Sequence, residues 1–357
     1  MKEEREIVSL SLPLLGGVLL GTFLMGNLHV MAGICALLPV AAGLYLLSGR
    51  GRSYAVVALL FGAIGLFCGL TSRLSAGLDD GPAVAGRASQ ALRGQVREIP
   101  FPSEGTDALV MALMTGDRSG LDRETVQVFR DSGASHILAL SGLHLGILYM
   151  LLSGLSRPLG NGLRTRRFRS VFLILAAGAY TWMTGASPSL VRAFLFILLR
   201  ELGALLERRP SPVRIFCGAL TLQLALTPSV AASVGFQLSY LAMAGIVLVL
   251  PRLQGWYPSE GPRKDRWNLP RRLWEMMALS ISCQLFTGPL AWLRFGTFPK
   301  YFLLTNLLAM PLTSALVILS AGCTLLSAVG MCPGWLVTAD DAVAQLLLQV
   351  LGIIASM

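Results

Sequence analysis

Two neighbouring runs of the chain hold the polar residues whose types and spacing could do chemistry. The first run, Met114-Thr-Gly-Asp-Arg-Ser-Gly-Leu-Asp122, predicts a tight turn that ends in a helix cap, and the second extends from Ser132 to Gly146. A helix N-terminus that opens into a cavity binds an anion such as phosphate, and glycines let helices approach closely or break. The other interpretation is that the small residues serve only packing and that His144 is a hydrogen-bonded interior histidine. The candidates in these runs are Asp117, Arg118, Ser119, Asp122, His136, Ser141, Gly142 and His144.

A second cluster, Thr184-Gly-Ala-Ser-Pro-Ser-Leu-Val-Arg192, predicts the start of another helix. Pro188 suits the first turn of a helix, and Ser187 is a good cap for it. Arg192 would then lie in that first turn, at the outer boundary of the membrane, where a charge usually faces a partner or a water-filled path. The functional interpretation is a contact to phosphate. The alternatives are an ion pair with Asp117 or a charge that extends to the membrane surface.

Three amide side chains lie in otherwise apolar segments, namely Gln237, Gln284 and Asn306. Such side chains either line a polar path or hydrogen-bond one helix to another. For each of them taken singly, a bond between helices is the favoured interpretation.

Enzymatic chemistry finds little support in the residue pattern. The histidines at positions 29, 136 and 144 form no H-E-x-x-H or related pattern, so we expect no metal. Ser141 and His144 share a helix face as a conceivable dyad, but no G-x-S-x-G turn accompanies them, and intramembrane hydrolysis is the least favoured function. No Walker-type G-x-x-x-x-G-K-[ST] is present, so we expect no nucleotide cofactor and no catalysis.

The elements that must position these residues are hydrophobic helices. The 357 residues are 54% hydrophobic and only 13% charged, whereas soluble domains carry about 25% charged residues. We therefore expect an all-α polytopic membrane protein, with roughly ten or eleven transmembrane or re-entrant helices in a channel-type bundle. The predicted spans are 9–26, 29–48, 54–72, 138–156, 170–185, 190–206, 212–227, 234–250, 273–293 and 301–326, with a last apolar helix near 335–356.

The distribution of positive charge predicts the orientation of the chain. The net charge is +10, and most of it is explained by the arginines and lysines that cytoplasmic loops of membrane proteins accumulate. The loops at 186–189 and 228–233 carry none, although the loop at 294–300 carries Arg294 and Lys300. We expect the N-terminus in the cytoplasm and residues 73–135 outside. The basic loops assigned to the cytoplasm are 48–53, 157–169, 207–214 and 251–272.

Three regions are predicted along the chain. Residues 1–72 form an N-terminal three-helix membrane segment, residues 73–105 a short extracytoplasmic linker, and residues 106–357 the main membrane domain. The main domain opens with two short helices, Asp107 to Met114 and Arg123 to Asp131, and Asp122 caps the second. Such helices lie on a membrane face, or enter it only if they are packed in protein.

Five motifs resemble, in order, the signature of the ComEC competence proteins, whose membrane domain typically shows a GDRSGL turn and a SHLLAISGLH run. The resemblance covers about residues 106–330. The motifs are Gly116-Asp-Arg-Ser-Gly-Leu-Asp122, Ser132-Gly-Ala-Ser-His-Ile-Leu-Ala-Leu-Ser-Gly-Leu-His144, Gly185-Ala-Ser-Pro-Ser-Leu-Val-Arg-Ala193, Ser233-Val-Gly-Phe-Gln-Leu-Ser-Tyr240 and the stretch from Gln284 to Pro311 with Asn306.

The resemblance implies the channel of natural transformation, which admits single-stranded DNA to the cytoplasm across the bacterial plasma (inner) membrane. The implied partners are single-stranded DNA, the lipid bilayer, a separate cytoplasmic motor and DNA-receptor proteins, and a homodimer is left open. We expect Arg118 and Arg192 to contact phosphate, and residues 141–144 to gate or pack the path. A transporter of a smaller solute is the alternative. The residues at family motif positions are Asp117, Arg118, Ser141, His144, Arg192 and Gln237.

The chain departs from the family at two places. Many members carry an oligonucleotide-binding domain before the GDRSGL turn, but residues 73–105 are too few for such a barrel. Many also end in a metallo-β-lactamase-like domain, whose histidine motif does not occur before Met357. We therefore expect a channel core alone. Degradation of the second strand is then left to another protein, or this chain is a specialised or inactive relative.

Overall fold

The computed structural model describes most of the chain beyond residue 82. The described ranges are 83–138, 142–160, 162–207, 210–227, 230–231, 233–257, 268–296 and 300–357, with positions 13, 15–18, 20 and 62. Within these ranges every regular element is helical and there is no strand, which confirms the all-α prediction. The predicted span 29–48, and most of the predicted spans 9–26 and 54–72, lie outside the described residues.

The described helices are numbered here in chain order. They are α1 (Ala83–Arg97), α2 (Thr106–Thr115), α3 (Arg123–Asp131), α4 (Ser135–Leu138), α5 (Gly142–Leu155), α6 (Leu163–Met183), α7 (Pro188–Leu205), α8 (Pro212–Leu226), α9 (Val234–Leu248), α10 (Leu250–Gly255), α11 (Leu269–Phe295), α12 (Phe302–Ser327) and α13 (Gly334–Ala355).

Four helical stretches in the described part are long and apolar enough to cross a membrane. Three of them coincide with the predicted spans 234–250, 273–293 and 301–326, and the fourth coincides with the last apolar helix predicted near 335–356, whereas the predicted total of ten or eleven is not confirmed. Helices α2, α5 and α8 are apolar but have only 10, 14 and 15 residues, fewer than the ~20 that a straight span needs. The four stretches are Val234–Gly255, Leu269–Phe295, Phe302–Ser327 and Gly334–Ala355.

Exposed tryptophans mark the ends of the long helices. Trp256 follows α10, Trp292 lies in the last turn of α11, and Trp335 lies in the first turn of α13. All three are mostly exposed. Tryptophan prefers the interface between lipid and water, where its ring contacts acyl chains and its N–H stays hydrated. Together with the four apolar helices, this arrangement is that of a membrane protein.

The chain divides into two compact units, and the larger contains residues 82–194 and 241–357. Its core forms where the short helices α2, α3 and α4 pack against the long helices α12 and α13. Helix α2 is buried over most of its length, so it is enclosed in protein rather than lying on a membrane face. The core includes Leu109, Leu113, Phe129, Ile137, Leu316, Leu347 and Leu351, each less than 2% exposed.

Local sequence signals predicted the ends of the short helices α2 and α3 to within one residue. Helix α3 begins at Arg123 and ends at Asp131, as predicted, and the side chain of Asp122 accepts a hydrogen bond from the Thr125 N–H at 3.4 Å. Such a cap stabilises a helix by about 1 kcal/mol because it satisfies one of the first N–H groups. Helix α2 extends one residue further at each end than predicted.

The predicted linker 73–105 contains helix α1, which sequence reasoning did not identify. Leu92, Val96 and Ile99 are buried, and α1 packs against α2 and α6. Leu92 and Val96 are four residues apart on one face of α1, which is the pattern of an amphipathic helix, and Ile99 follows two residues after the helix ends. The linker therefore contributes a structural element to the larger unit.

The smaller unit contains residues 195–240 together with the N-terminal residues up to 81. In its described part, Leu220 and Leu224 of α8 pack with Phe236 and Tyr240 of α9. The Tyr240 hydroxyl donates a hydrogen bond of 2.9 Å to the side-chain carbonyl oxygen of Gln223. A buried amide is thereby satisfied inside an apolar cluster.

Candidate anion-binding cavity

A cavity of about 430 Å³ lies within the larger unit, at the turn after α2 and the start of α7. This volume lies in the range of small-ligand pockets, about 300–1,000 Å³. Two guanidinium groups and four hydroxyl groups line it, a composition suited to an anion. The lining residues are Arg93, Thr115, Gly116, Arg118, Thr184, Ser187 and Ser189.

The turn that forms one wall depends on Gly116. This residue ends α2 with a φ of 79°, and its N–H donates to the Ala112 carbonyl at 3.0 Å. A side chain at this left-handed conformation would be strained. Thr115 fixes the next residue, because its hydroxyl oxygen accepts a hydrogen bond from the Asp117 N–H at 3.3 Å. The turn therefore presents Asp117 and Arg118 in a defined direction.

Asp117 is held as a carboxylate by neighbours on two elements. Its Oδ1 accepts a hydrogen bond from the Ser119 N–H at 3.1 Å, and its Oδ2 lies 3.0 Å from Nη1 of Arg93 on α1. Hydrogen bonds from the side chain and backbone of Ser119, and then the positive charges of Arg93 and Arg97, hold the pKa of Asp117 below its usual 3.8. Asp117 is therefore ionised at neutral pH.

Arg118 is anchored at one edge of its guanidinium group. Its Nε donates a hydrogen bond of 3.0 Å to the carbonyl of Leu138, the last residue of α4. The side chain is otherwise exposed and lines the cavity. An anchored guanidinium loses less entropy when a ligand binds than one that moves freely.

The opposite wall is the loop between α6 and α7. Gly185 and Ala186 have positive φ angles of 83° and 49°, and the Ala186 N–H donates to the Thr181 carbonyl at 2.9 Å. A left-handed non-glycine residue costs roughly 1–2 kcal/mol, so the surrounding contacts must hold this loop in place. Helix α7 then begins at Pro188, as predicted. Ser187 does not act as its side-chain cap, because its Oγ has no hydrogen-bond partner.

Two buried polar atoms at the cavity lack a hydrogen-bond partner. They are Oγ of Ser187 and Nε of Arg93, both on lining residues. Buried polar groups are nearly always paired in native proteins, so these two atoms are available to bond a water or an anion that enters the cavity. Both atoms can donate a hydrogen bond, so the cavity offers two unsatisfied donors to an acceptor.

Arg192 lies next to this cavity but is not one of its lining residues. Its side chain is buried at 6% exposure, and its Nη2 donates to the Ser189 carbonyl at 3.3 Å. Gly142, the first residue of α5, lies against the same turn: a Cβ there would be 3.0 Å from that of Ala193 and 3.7 Å from Nη2 of Arg192. The structure thus uses Gly142 for a close helix approach, and Arg192 supports the wall that carries Ser189.

The remaining candidates of the two runs are distributed around α3, α4 and α5. His144 is buried on α5 at 1% exposure, and His136 is exposed on α4 with Nδ1 3.2 Å from the Gly133 carbonyl. Ser119 and Asp122 are exposed in the turn and at the α3 cap. Ser141 lies outside the described residues. Of the described candidates in these runs, Arg118 alone lines the cavity.

The three amides lie on separate helices. Gln237 belongs to the smaller unit, where its Nε2 donates to the Ala231 carbonyl at 3.0 Å. Gln284 is half-buried on α11. Asn306 is half-buried on α12, and its Oδ1 is buried without a hydrogen-bond partner. A role for these side chains in lining a path stays a prediction.

Sequence reasoning missed three residues with notable surroundings. Arg93 lines the cavity, and Asp340 and Asp341 are buried on the span-length helix α13. The two carboxyl groups had a sequence signal, because acidic residues inside an apolar helix are rare and need partners. No group of three His, Cys, Asp or Glu side chains able to hold a metal occurs in the described part of the chain.

Comparison with known proteins identifies the family. The sequence model of the competence protein family matches residues 113–357, which include the turn, α5, α7 and all four span-length helices. The chain belongs to the competence protein family. The match confirms the resemblance that the GDRSG turn and the following motifs indicated. Arg93 and the rest of α1 precede the matched residues.

Three curated proteins are similar to this chain. ComE operon protein 3 of Bacillus subtilis is 28% identical over 211 residues, covering 59% of this chain and 25% of that protein. Recombination protein 2 of Haemophilus influenzae is 26% identical over 234 residues, covering 63% and 29%. The uncharacterized protein YcaI of Escherichia coli is 25% identical over 226 residues, covering 61% and 28%. The matches thus span under a third of each relative, and no solved structure matches the chain.

Proposed function

We propose that this chain passes single-stranded DNA into the cytoplasm during natural transformation, and that the DNA backbone moves past the cavity lined by Arg93 and Arg118. The observation that carries the proposal is which residues form the cavity. One of its walls is the GDRSG turn, the motif by which the chain resembles other competence proteins. The name of one relative, Recombination protein 2 of Haemophilus influenzae, agrees with a role in handling DNA.

The chemistry of the lining suits a nucleic-acid backbone. Each phosphodiester carries one negative charge and acceptor oxygens, which guanidinium and hydroxyl groups bind without regard to base sequence. A channel for DNA of any sequence needs this kind of contact rather than base recognition. The lining groups Arg118, Thr184 and Ser189 are of this kind.

The cellular setting forms part of the proposal. The chain would act in the bacterial inner membrane, with its N-terminus in the cytoplasm as the arginine-rich loops predict. A separate cytoplasmic motor would supply energy and receptor proteins would deliver the DNA, while the chain itself catalyses no reaction. A homodimer is one arrangement in which two copies would enclose the path.

The first test compares DNA entry in a deletion strain that carries wild type, Arg118→Ala or Arg130→Ala. Arg130 is a matched control because it is an exposed arginine on α3 away from the cavity. Surface-bound and cytoplasmic labelled DNA are measured separately at equal protein levels. We expect Arg118→Ala to lower cytoplasmic entry about tenfold, because a charge-assisted hydrogen bond contributes about 1.5–3 kcal/mol. In the Arg130→Ala strain, as much labelled DNA should enter the cytoplasm as in the wild type.

The deletion strain decides between the two classes of transported substrate. If deletion abolishes cytoplasmic entry and leaves surface binding intact, the chain is required for translocation. If a strain that transforms well takes up DNA equally without this chain, the DNA proposal is wrong. The transporter of a smaller solute then becomes the better account of the same cavity.

A further inference from the structure

The contact between Arg93 and Asp117 leaves part of the arginine unused. Only Nη1 reaches the carboxylate, at 3.0 Å, while Nε is buried without a hydrogen-bond partner. A guanidinium group forms its strongest contacts through two parallel N–H donors to the two oxygens of one anion. Arg93 therefore has an incomplete contact at the edge of a cavity that contains a further orphan donor, the Ser187 hydroxyl.

The charges at the cavity favour an anion. The lining residues Arg93 and Arg118 carry two positive charges, and the carboxylate of Asp117 carries one negative charge. The charge of Arg97 also acts on Asp117, so the site is net positive. The N-terminus of the 18-residue helix α7 adds its first N–H groups and positive end at Ser189. A phosphodiester group carries one negative charge, and its two unesterified oxygens accept from several donors at once.

The ion pair can be exchanged at little cost in stability. The Arg93 side chain is 41% exposed and that of Asp117 is 15% exposed. Pairs with this much solvent contact contribute little to folding. Ser119 continues to hold Asp117 when Arg93 leaves, because its N–H bonds Oδ1 rather than the oxygen that faces Arg93.

We infer that the ion pair is an exchangeable contact: one phosphate group that enters the cavity takes Arg93 from Asp117 and is held by Arg93, Arg118 and the Ser187 hydroxyl. Asp117 returns to Arg93 when the phosphate leaves, so each phosphate is bound only transiently. This inference deepens the proposed function and rests on it for the source of the phosphate, which is the backbone of single-stranded DNA.

A double-mutant cycle tests the exchange in the purified full-length protein. The affinity for an oligothymidylate is measured against salt for wild type, Arg93→Ala, Asp117→Asn and the double variant. We expect Arg93→Ala to weaken binding about tenfold and to lower the salt slope by about 0.7, the value for one phosphate contact on a single strand. Asp117→Asn should strengthen binding severalfold, because Arg93 no longer has a competing partner.

The decisive arm is Asp117→Asn in the Arg93→Ala background. If Asp117 acts by occupying Arg93, its replacement brings no gain when Arg93 is absent. An equal gain in both backgrounds would show that Asp117 only repels the DNA as a negative charge, and the exchange would be disproved. Arg130→Ala serves as the control for loss of one surface charge and should leave affinity within twofold of wild type.

The source of the phosphate is distinguished by competition. Inorganic phosphate should displace the oligothymidylate from wild type and lose this effect in Arg93→Ala, while a methylphosphonate oligomer without backbone charge should bind weakly. If phosphatidylglycerol micelles bind the wild type but not Arg93→Ala, and the oligothymidylate binds neither, the cavity binds a lipid headgroup and DNA as its ligand is disproved. Cytoplasmic DNA entry in the same variants separates the two claims. Entry that needs the chain but not Arg93 disproves the exchange alone, whereas Arg93-dependent phosphate binding without any DNA entry disproves the proposed function.

Discussion

Two acidic regions of the larger unit use their carboxyl groups in different ways. At the cavity, Asp117 is partly exposed and contacts only one nitrogen of the Arg93 guanidinium group. The Nε of Arg93 has no hydrogen-bond partner. On α13, Asp340 is fully buried and accepts from the Ser320 hydroxyl at 3.0 and 2.9 Å. Its neighbour Asp341 is buried as well and accepts hydrogen bonds from Ser103 and Thr106 at 2.7 Å each.

The difference indicates which region is structural and which is exchangeable. The hydroxyls around Asp341 are engaged, and Gln345 also donates to Oγ1 of Thr106 at 3.1 Å. This cluster fastens Ser103 and the start of α2 to α13, and none of its buried side-chain polar atoms lacks a hydrogen-bond partner. At the cavity, donors remain unsatisfied and solvent weakens the ion pair, so a ligand can replace it. Polar residues of similar type therefore serve packing in one region and binding in the other.

The largest expected effect is the loss of stability in Asp341→Ala. Removing the carboxyl group leaves the hydroxyls of Ser103 and Thr106 without their acceptor in a largely buried site. Since hydrogen bonds to a carboxylate contribute about 1.5–3 kcal/mol and orphaned donors cost more, we expect a destabilisation on the order of 2–4 kcal/mol. Thermal unfolding of the detergent-purified protein measures it.

Thr338→Ala is the matched control on the same helix. Thr338 is exposed and its hydroxyl bonds only the Gly334 carbonyl within α13, at 3.0 Å. Its replacement should change stability by less than about 0.5 kcal/mol. If Asp341→Ala is as mild as this control, the buried cluster does not fasten the two segments, and the contrast with the cavity is lost.

Asp117→Asn should have a much smaller effect on stability, below about 1 kcal/mol, because the pair that it breaks is partly exposed. The pKa of Asp117 is lowered in the folded state, so its contribution is fully present above the ordinary value of 3.8 and is lost as pH falls through the lower folded pKa. Unfolding curves of wild type and Asp117→Asn should therefore converge in strong acid. A difference that is constant at every pH would show that the charge of Asp117 plays no part.

The sequence predicted features that depend on local patterns. The bounds of α3, its Asp122 cap and the start of α7 at Pro188 each follow from residues within one turn of the helix end. Hydropathy was less successful at helix ends. Helix α6 begins at Leu163 rather than near residue 170, because its first two turns are rich in arginine, which a helix accommodates but a hydropathy window excludes.

Contacts between distant parts of the chain could not be predicted in this way. Asp341 and Ser103 are 238 positions apart, and no periodicity in either segment indicates that they meet. Arg93 was missed for a related reason. Its helix was interpreted as a linker, and the contact with Asp117 arises only when α1 packs beside α2. The motif therefore predicted one wall of the cavity, whereas folding supplied the second arginine.

The most direct test of the central claim is a photocrosslink to DNA in transit. A small diazirine-bearing amino acid is placed at Thr184, which lines the cavity, or at the exposed Gln127 on α3, and cells are illuminated during uptake of labelled DNA. We predict a covalent adduct between protein and single-stranded DNA at Thr184 well above that at Gln127. If DNA enters the cytoplasm of the Thr184 variant while adducts there do not exceed those at Gln127, DNA does not pass the cavity and the account is wrong.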